Sequence, residues 1–133
     1  MVNRRTGDKK VFIIEHNRLV GLDIQLQLEK NGCTVFRPLS IVDAEVIIRK
    51  DAPDLIIADT DIQQQDNFER VKKLFSRREL PIIYIGTINE ITAQDSKLNI
   101  IGTFSKPFDS KKIACFVDNY FDSGQWLTNK REK

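Results

Sequence analysis

Apolar residues arrive along the chain in short blocks. Val11, Phe12, Ile13 and Ile14 form the first, and it ends on Glu15, His16 and Asn17. A block of this length, bounded by polar residues, reads as a strand buried on both faces. Leu19, Val20, Ile24 and Leu28 then fall near helical spacing, with Asn17 placed to cap the helix and Gly32 to stop it. Thr34 to Phe36 is a short second strand. Ser40 is the next N-cap, ahead of Ile41, Ala44, Ile47 and Ile48, and Pro53 enforces a break. Leu55 to Ala58 is a third buried strand that runs into Asp59, and Phe68, Val71, Leu74 and Phe75 mark a third helix. Pro81 opens a fourth strand, Ile82 to Ile85. A weak polar helix is expected over 91–98, and a fifth strand over 100–105, interrupted by Gly102. Asp109 caps a last helix with Ile113, Phe116, Val117 and Tyr120 on one face.

Strands alternating with helical segments imply a parallel sheet covered by helices on both sides, with right-handed crossovers. Ligands of such sheets collect at the carboxyl ends of the strands. The polar residues there are Glu15 and His16 after the first strand, Asp59 after the third, Gly86 and Thr87 after the fourth, and Lys106 after the fifth.

A length of 133 residues fits one domain, and 41% hydrophobic with 30% charged residues places it among soluble globular chains. A net charge of +2 is too small to argue for a nucleic-acid partner. The basic clusters (Arg4, Arg5, Lys9 and Lys10; Arg77 and Arg78; Lys130, Arg131 and Lys133) are not interleaved with aromatics, and read as solvated charge. Residues 1–8 are expected to be a tail, 9–122 the folded domain, and 123–133 a tail or a linker cut from something longer. Cys33 and Cys115 form no metal or redox spacing, and each is expected to be a small buried residue. MVNRRTGDKK has no apolar core, and no run reaches the roughly 18 apolar residues of a membrane span, so a reducing cytoplasm is the expected location.

Glu15, Asp59 and Lys106 around one crevice make a coherent chemical set. A carboxylate at a strand end can attack phosphorus and become an aspartyl phosphate. Phosphoryl transfer then asks for alignment and charge neutralisation. A divalent ion held by carboxylates and a carbonyl would supply part of that, and a lysine ammonium the rest. A hydroxyl at the end of the fourth strand would add one hydrogen bond.

These residues resemble the response-regulator receiver family of two-component signalling, over about residues 9–121. PDLIIAD (53–59) resembles the family's third strand with its phospho-acceptor, DIQQQDNFE (61–69) the loop that follows, LPIIYIGT (80–87) the fourth strand, and SKPFD (105–109) the lysine-proline motif. The resemblance implies a flavodoxin-like, doubly wound (βα)5 three-layer sandwich with strand order 2-1-3-4-5. It implies Asp59 as phospho-acceptor, Lys106 as phosphoryl contact, and a cis peptide at Lys106-Pro107. It also implies magnesium held by Glu15, Asp59 and the backbone carbonyl near Asp61. The expected partner is a histidine kinase or phosphotransfer protein, with homodimerisation through the fourth and fifth strands and the helices that follow them.

Three positions depart from the family pattern. His16 stands where a second acid normally binds the metal. Gly86 stands where a Ser or Thr hydroxyl is usual, and Thr87 supplies one only if the strand ends a residue later. Thr103 stands at the aromatic switch position. Magnesium prefers oxygen ligands, whereas imidazole suits zinc, copper or nickel. A carboxylate–cation pair at about 4 Å is worth roughly 4 kcal/mol at an effective dielectric of 20. Losing half of that weakens binding more than tenfold. Magnesium binding is therefore expected to be weakened or absent, Lys106 is expected to pair directly with Asp59, and a protonated His16 can pair with Asp59 or Glu15. With no second histidine in the chain, His16 reads as a tolerated substitution more than as a transition-metal ligand.

Two other functions stay open. One is a pseudo-receiver, the same fold used as a binding module without phosphorylation. The other, remote, is a haloacid-dehalogenase-like phosphatase, suggested by ADTDI (58–62) with Thr87 and Lys106. Against it, Gln63 stands where that family has a threonine, and the Asp-x-Asp strand is third instead of first. Enzymatic turnover is not expected beyond phosphotransfer and dephosphorylation at Asp59 itself. No DNA-binding helix pair follows residue 122, so output is expected through a partner or a further domain.

Overall fold

The computed structural model describes residues 9–38, 40–59, 72–73, 75–76, 79–86 and 98–123. Among the described residues the elements run β1 (Lys9–Ile14), α1 (Arg18–Lys30), β2 (Cys33–Phe36), α2 (Ile41–Lys50), β3 (Leu55–Asp59), β4 (Pro81–Gly86), β5 (Asn99–Ser105) and α3 (Ser110–Asp122). The strands form one sheet in the order β2-β1-β3-β4-β5, and every neighbouring pair is parallel. This is the flavodoxin-like arrangement.

Successive strand residues face opposite sides, and each side has its own core. Phe12, Ile14, Ile56, Ala58, Ile82 and Tyr84 pack with Ala44 and Ile48 of α2 and with Phe75. Val11, Ile13, Leu55, Ile57, Ile83 and Ile85 pack with Ile24 and Leu28 of α1 and with Ile113, Val117 and Phe121 of α3. β3 and β4 are buried at every position, which is why they read as unbroken apolar runs. Surface on the β4–β5 side therefore comes from β5, the outer strand, and not from β4.

The caps act where the sequence puts them. Asn17 Oδ1 accepts from the backbone N–H of Leu19 and Val20, at 3.0 and 3.2 Å. Ser40 Oγ accepts from Asp43 N–H at 3.1 Å, and Asp109 Oδ1 from Lys111 N–H at 2.9 Å. Gly32, with φ of 91°, turns the chain after α1. The register between β4 and β5 slips by one residue near Ile82 and Ile83, beside Gly102. A Cβ on Gly102 would lie 2.8 Å from Phe116 Cζ, so the missing side chain makes room for that ring. Phe116 also meets Phe104 edge-on, with centroids 5.7 Å apart.

One expectation fails. Cys33 is buried, but Cys115 is exposed. The buried positions of α3 are Ser110, Ile113, Ala114, Val117 and Phe121, and residue 115 falls off that face. Apolar neighbours in sequence do not make a buried position on a helix. Most of the third helix and the polar helix over 91–98 fall outside the described residues; within them, residues 72, 73, 75 and 76 are helical and Phe75 is buried.

Candidate functional site

β1, β3 and β4 end side by side, with Ile14 paired to Ala58 and Asp59 to Ile85. This register carries Glu15 and Asp59 to one rim. Gly86 pairs with Ser105 at the end of β5, so Lys106 emerges at the same rim, its backbone N–H 3.4 Å from the Gly86 carbonyl. The Lys106-Pro107 peptide is cis.

Asp59 is fully buried. Lys106 Nζ donates to its Oδ2 at 3.1 Å, from a side chain still 40% exposed. His16 lies on the open side, with Nδ1 3.5 Å from Glu15 Oε2 and 3.8 Å from Asp59 Oδ2. Lys106 thus pairs directly with Asp59, and His16 stands between two carboxylates.

Glu15 is the less legible member. Its side chain is only 1% exposed. Asn17 N–H donates to Oε2 at 2.9 Å, so the residue that caps α1 also holds the carboxylate. Oε1 is buried and has no hydrogen-bond partner. Burial pushes the Glu15 carboxyl up to about 7; a hydrogen bond to Asp59 and the Asp59 charge push the same way, while the Asn17 N–H and the Lys106 ammonium pull it down. A protonated Glu15 can donate to Asp59, which relieves the repulsion between two acids in one pocket.

Glu15, His16 and Asp59 each offer one ligand atom, and the three lie within 4.8 Å of one another. Among the described residues they are the group of three candidate ligands close enough to converge on one ion. Thr87 and Asp61 lie outside the described residues. Gly86 has φ of 114°, a conformation natural to glycine. Arg37 went unnoticed in the sequence: its Nη1 donates to the Arg18 carbonyl at 3.1 Å and packs across Gly21 on the first turn of α1. No periodicity or motif marks it, because the contact joins distant segments.

Solved structures of similar shape come from several organisms. A CheY-like response regulator receiver domain protein from Methanospirillum hungatei has a TM-score of 0.72 at 12% identity, over 96% of this chain and 100% of its own. A putative response regulator from Chloroflexus aurantiacus has a TM-score of 0.67 at 23% identity, over 85% of this chain and 97% of its own. NtrX from Brucella abortus has a TM-score of 0.72 at 16% identity, over 95% of this chain but 29% of its own, so there the fold is part of a larger protein. At these identities the likeness speaks for the fold. The sequence itself goes further: residues 11–118 match the family model of the response regulator receiver domain, and the chain belongs to that family.

Proposed function

We propose that this receiver domain accepts a phosphoryl group on Asp59 from a histidine kinase or phosphotransfer protein and changes its protein contacts in response. Receiver domains are signalling modules, generally not enzymes; they typically bind magnesium and interact with kinases or phosphotransfer proteins. The single observation that carries the reading is the 3.1 Å approach of Lys106 Nζ to the buried Asp59 Oδ2. A carboxylate oxygen of Asp59 attacks phosphorus, the bond from phosphorus to the donor imidazole breaks, and the imidazole leaves with the electron pair and takes up a proton. The Lys106 ammonium is within reach of the oxygens that arrive.

Magnesium meets an unfavourable donor set here. It demands near-octahedral oxygen coordination. Among the described residues the pocket offers two carboxylates and an imidazole nitrogen, and one carboxylate already faces an ammonium. The set does not fit magnesium well. Residues 9–122 are the signalling unit in this reading, a reducing cytoplasm its setting, and 1–8 and 123–133 flanking segments. No described helix is long and apolar enough to cross a membrane.

Incubation of the full chain with acetyl phosphate and magnesium, read by intact mass, tests the proposal. The expected result is a gain of one phosphoryl group that disappears in Asp59→Asn. A second reading, the pseudo-receiver, is favoured by His16 at the acid position and by the lack of a side chain at Gly86. No mass gain in the native chain, with a gain restored by His16→Asp, would establish it over the first.

A further inference from the structure

We propose that Glu15, His16 and Asp59 form a site for a divalent ion of the zinc class, which takes an imidazole ligand, in place of a magnesium site. The inference rests on reading Glu15 and Asp59 as one pocket, and not on phosphorylation of Asp59.

Three observations support it. The first is Glu15 Oε1, buried and without a hydrogen-bond partner, in a pocket whose other carboxylate belongs to Asp59. A buried carboxylate oxygen is costly to leave unsatisfied; a proton shared with Asp59 satisfies it in the ion-free protein, and a cation would take that proton's place. The second is the direction of the imidazole. His16 could extend into solvent, since its side chain is 55% exposed, yet Nδ1 faces both carboxylates. The third is spacing. Ligands about 2.0–2.2 Å from a tetrahedral zinc stand roughly 3.4 Å apart, whereas octahedral magnesium brings neighbours to about 2.9 Å. Nδ1 stands 3.5 Å from Glu15 Oε2 and 3.8 Å from Asp59 Oδ2, nearer the tetrahedral edge.

Chemistry and charge agree. Imidazole with carboxylates suits zinc, cobalt or nickel, whereas magnesium is served by oxygen alone. Two carboxylates balance one divalent ion once Glu15 gives up its proton and Lys106 withdraws. Three protein ligands leave a fourth position for water or an incoming oxygen. Lys106 is the competitor: its ammonium lies on Asp59 Oδ2, so an ion there must share the carboxylate or displace the lysine.

Titration calorimetry of the full chain with zinc and with magnesium tests the inference. Cobalt serves as a spectroscopic probe, because tetrahedral cobalt absorbs far more strongly in the visible than octahedral cobalt. The native chain is expected to bind zinc at least 100-fold more tightly than magnesium. His16→Ala is expected to lose at least tenfold in zinc affinity together with the tetrahedral cobalt spectrum. His16→Asp is expected to raise magnesium affinity and narrow the gap, and Cys115→Ser to change neither metal. Position 16 is exposed, so these variants should keep the native circular dichroism, which is checked alongside. Equal affinities for the two metals, zinc binding indifferent to His16→Ala, or zinc binding lost with Cys115→Ser would each overturn the proposal. Mass labelling of Asp59 is read separately. Failure to label with zinc binding intact removes the phospho-acceptor reading alone, and labelling with the histidine indifferent to zinc removes this one alone.

Discussion

Glu15 shows how much one residue can hide from its sequence. Its place at the end of an apolar run made it a candidate, as did the same logic for Asp59 and Lys106. Nothing local announced that its side chain would be 1% exposed or that one oxygen would lack a partner. Those facts depend on β3 lying beside β1 and on Asn17 turning its N–H back, which only the assembled rim supplies. The raised Glu15 value has a testable consequence. Its folded-state value, about 7, lies above the ordinary 4.5, so the folded protein holds a proton that the unfolded chain releases. Stability is greatest below about 4.5 as far as this group is concerned, declines as pH rises through the interval to about 7, and levels off above it. The decline is bounded at roughly 3–4 kcal/mol, because a tenfold change in proton affinity is worth about 1.4 kcal/mol. Urea unfolding in chelator-treated buffer across pH 4 to 9 should show it. Glu15→Gln, which keeps a donor toward Asp59 without the charge, should flatten the slope and make the protein more stable than native at pH 8. A slope unchanged in that variant would assign the effect elsewhere.

Elements were legible wherever caps and periodicity agreed. Asn17, Ser40 and Asp109 act as the sequence indicates, and strand ends shifted by only a residue or two. The failure at Cys115 has a plain cause: helix burial follows the angle around the axis and not adjacency along the chain. Gly102 was legible as an interruption of β5 but not as a seat for Phe116, since that needs α3 docked against the sheet. Two substitutions probe this level. Asp109→Ala removes the acceptor for Lys111 N–H and should cost about 1 kcal/mol, read from the urea midpoint. Gly102→Ala places a Cβ 2.8 Å from the Phe116 ring and should cost about 1–3 kcal/mol. Adding Phe116→Leu should recover part of that loss, so the two changes should be non-additive.

At the scale of the whole molecule, alternation of strands and helices was enough to give a parallel sheet between helical layers, and the receiver resemblance supplied its order. The sheet divides the apolar residues into two cores, with neighbouring residues on β3 serving opposite sides: Ile56 lies in one and Ile57 in the other. If the two faces fold as one unit, Ile56→Ala and Ile57→Ala should each cost about 2–5 kcal/mol and lower a single transition followed by circular dichroism and by fluorescence. Separation of the two probes in either variant would mean that the faces unfold independently. Gly86 sets a different kind of boundary on the molecule. Its φ of 114° is one that residues with a Cβ enter only under strain, so Gly86→Ser should destabilise by about 1–3 kcal/mol. Position 16 sits on an exposed turn, where an acid can be reinstated without disturbing the main chain. The charge of the pocket is thus open to redesign by one exchange, while the main chain itself guards position 86 against an alcohol.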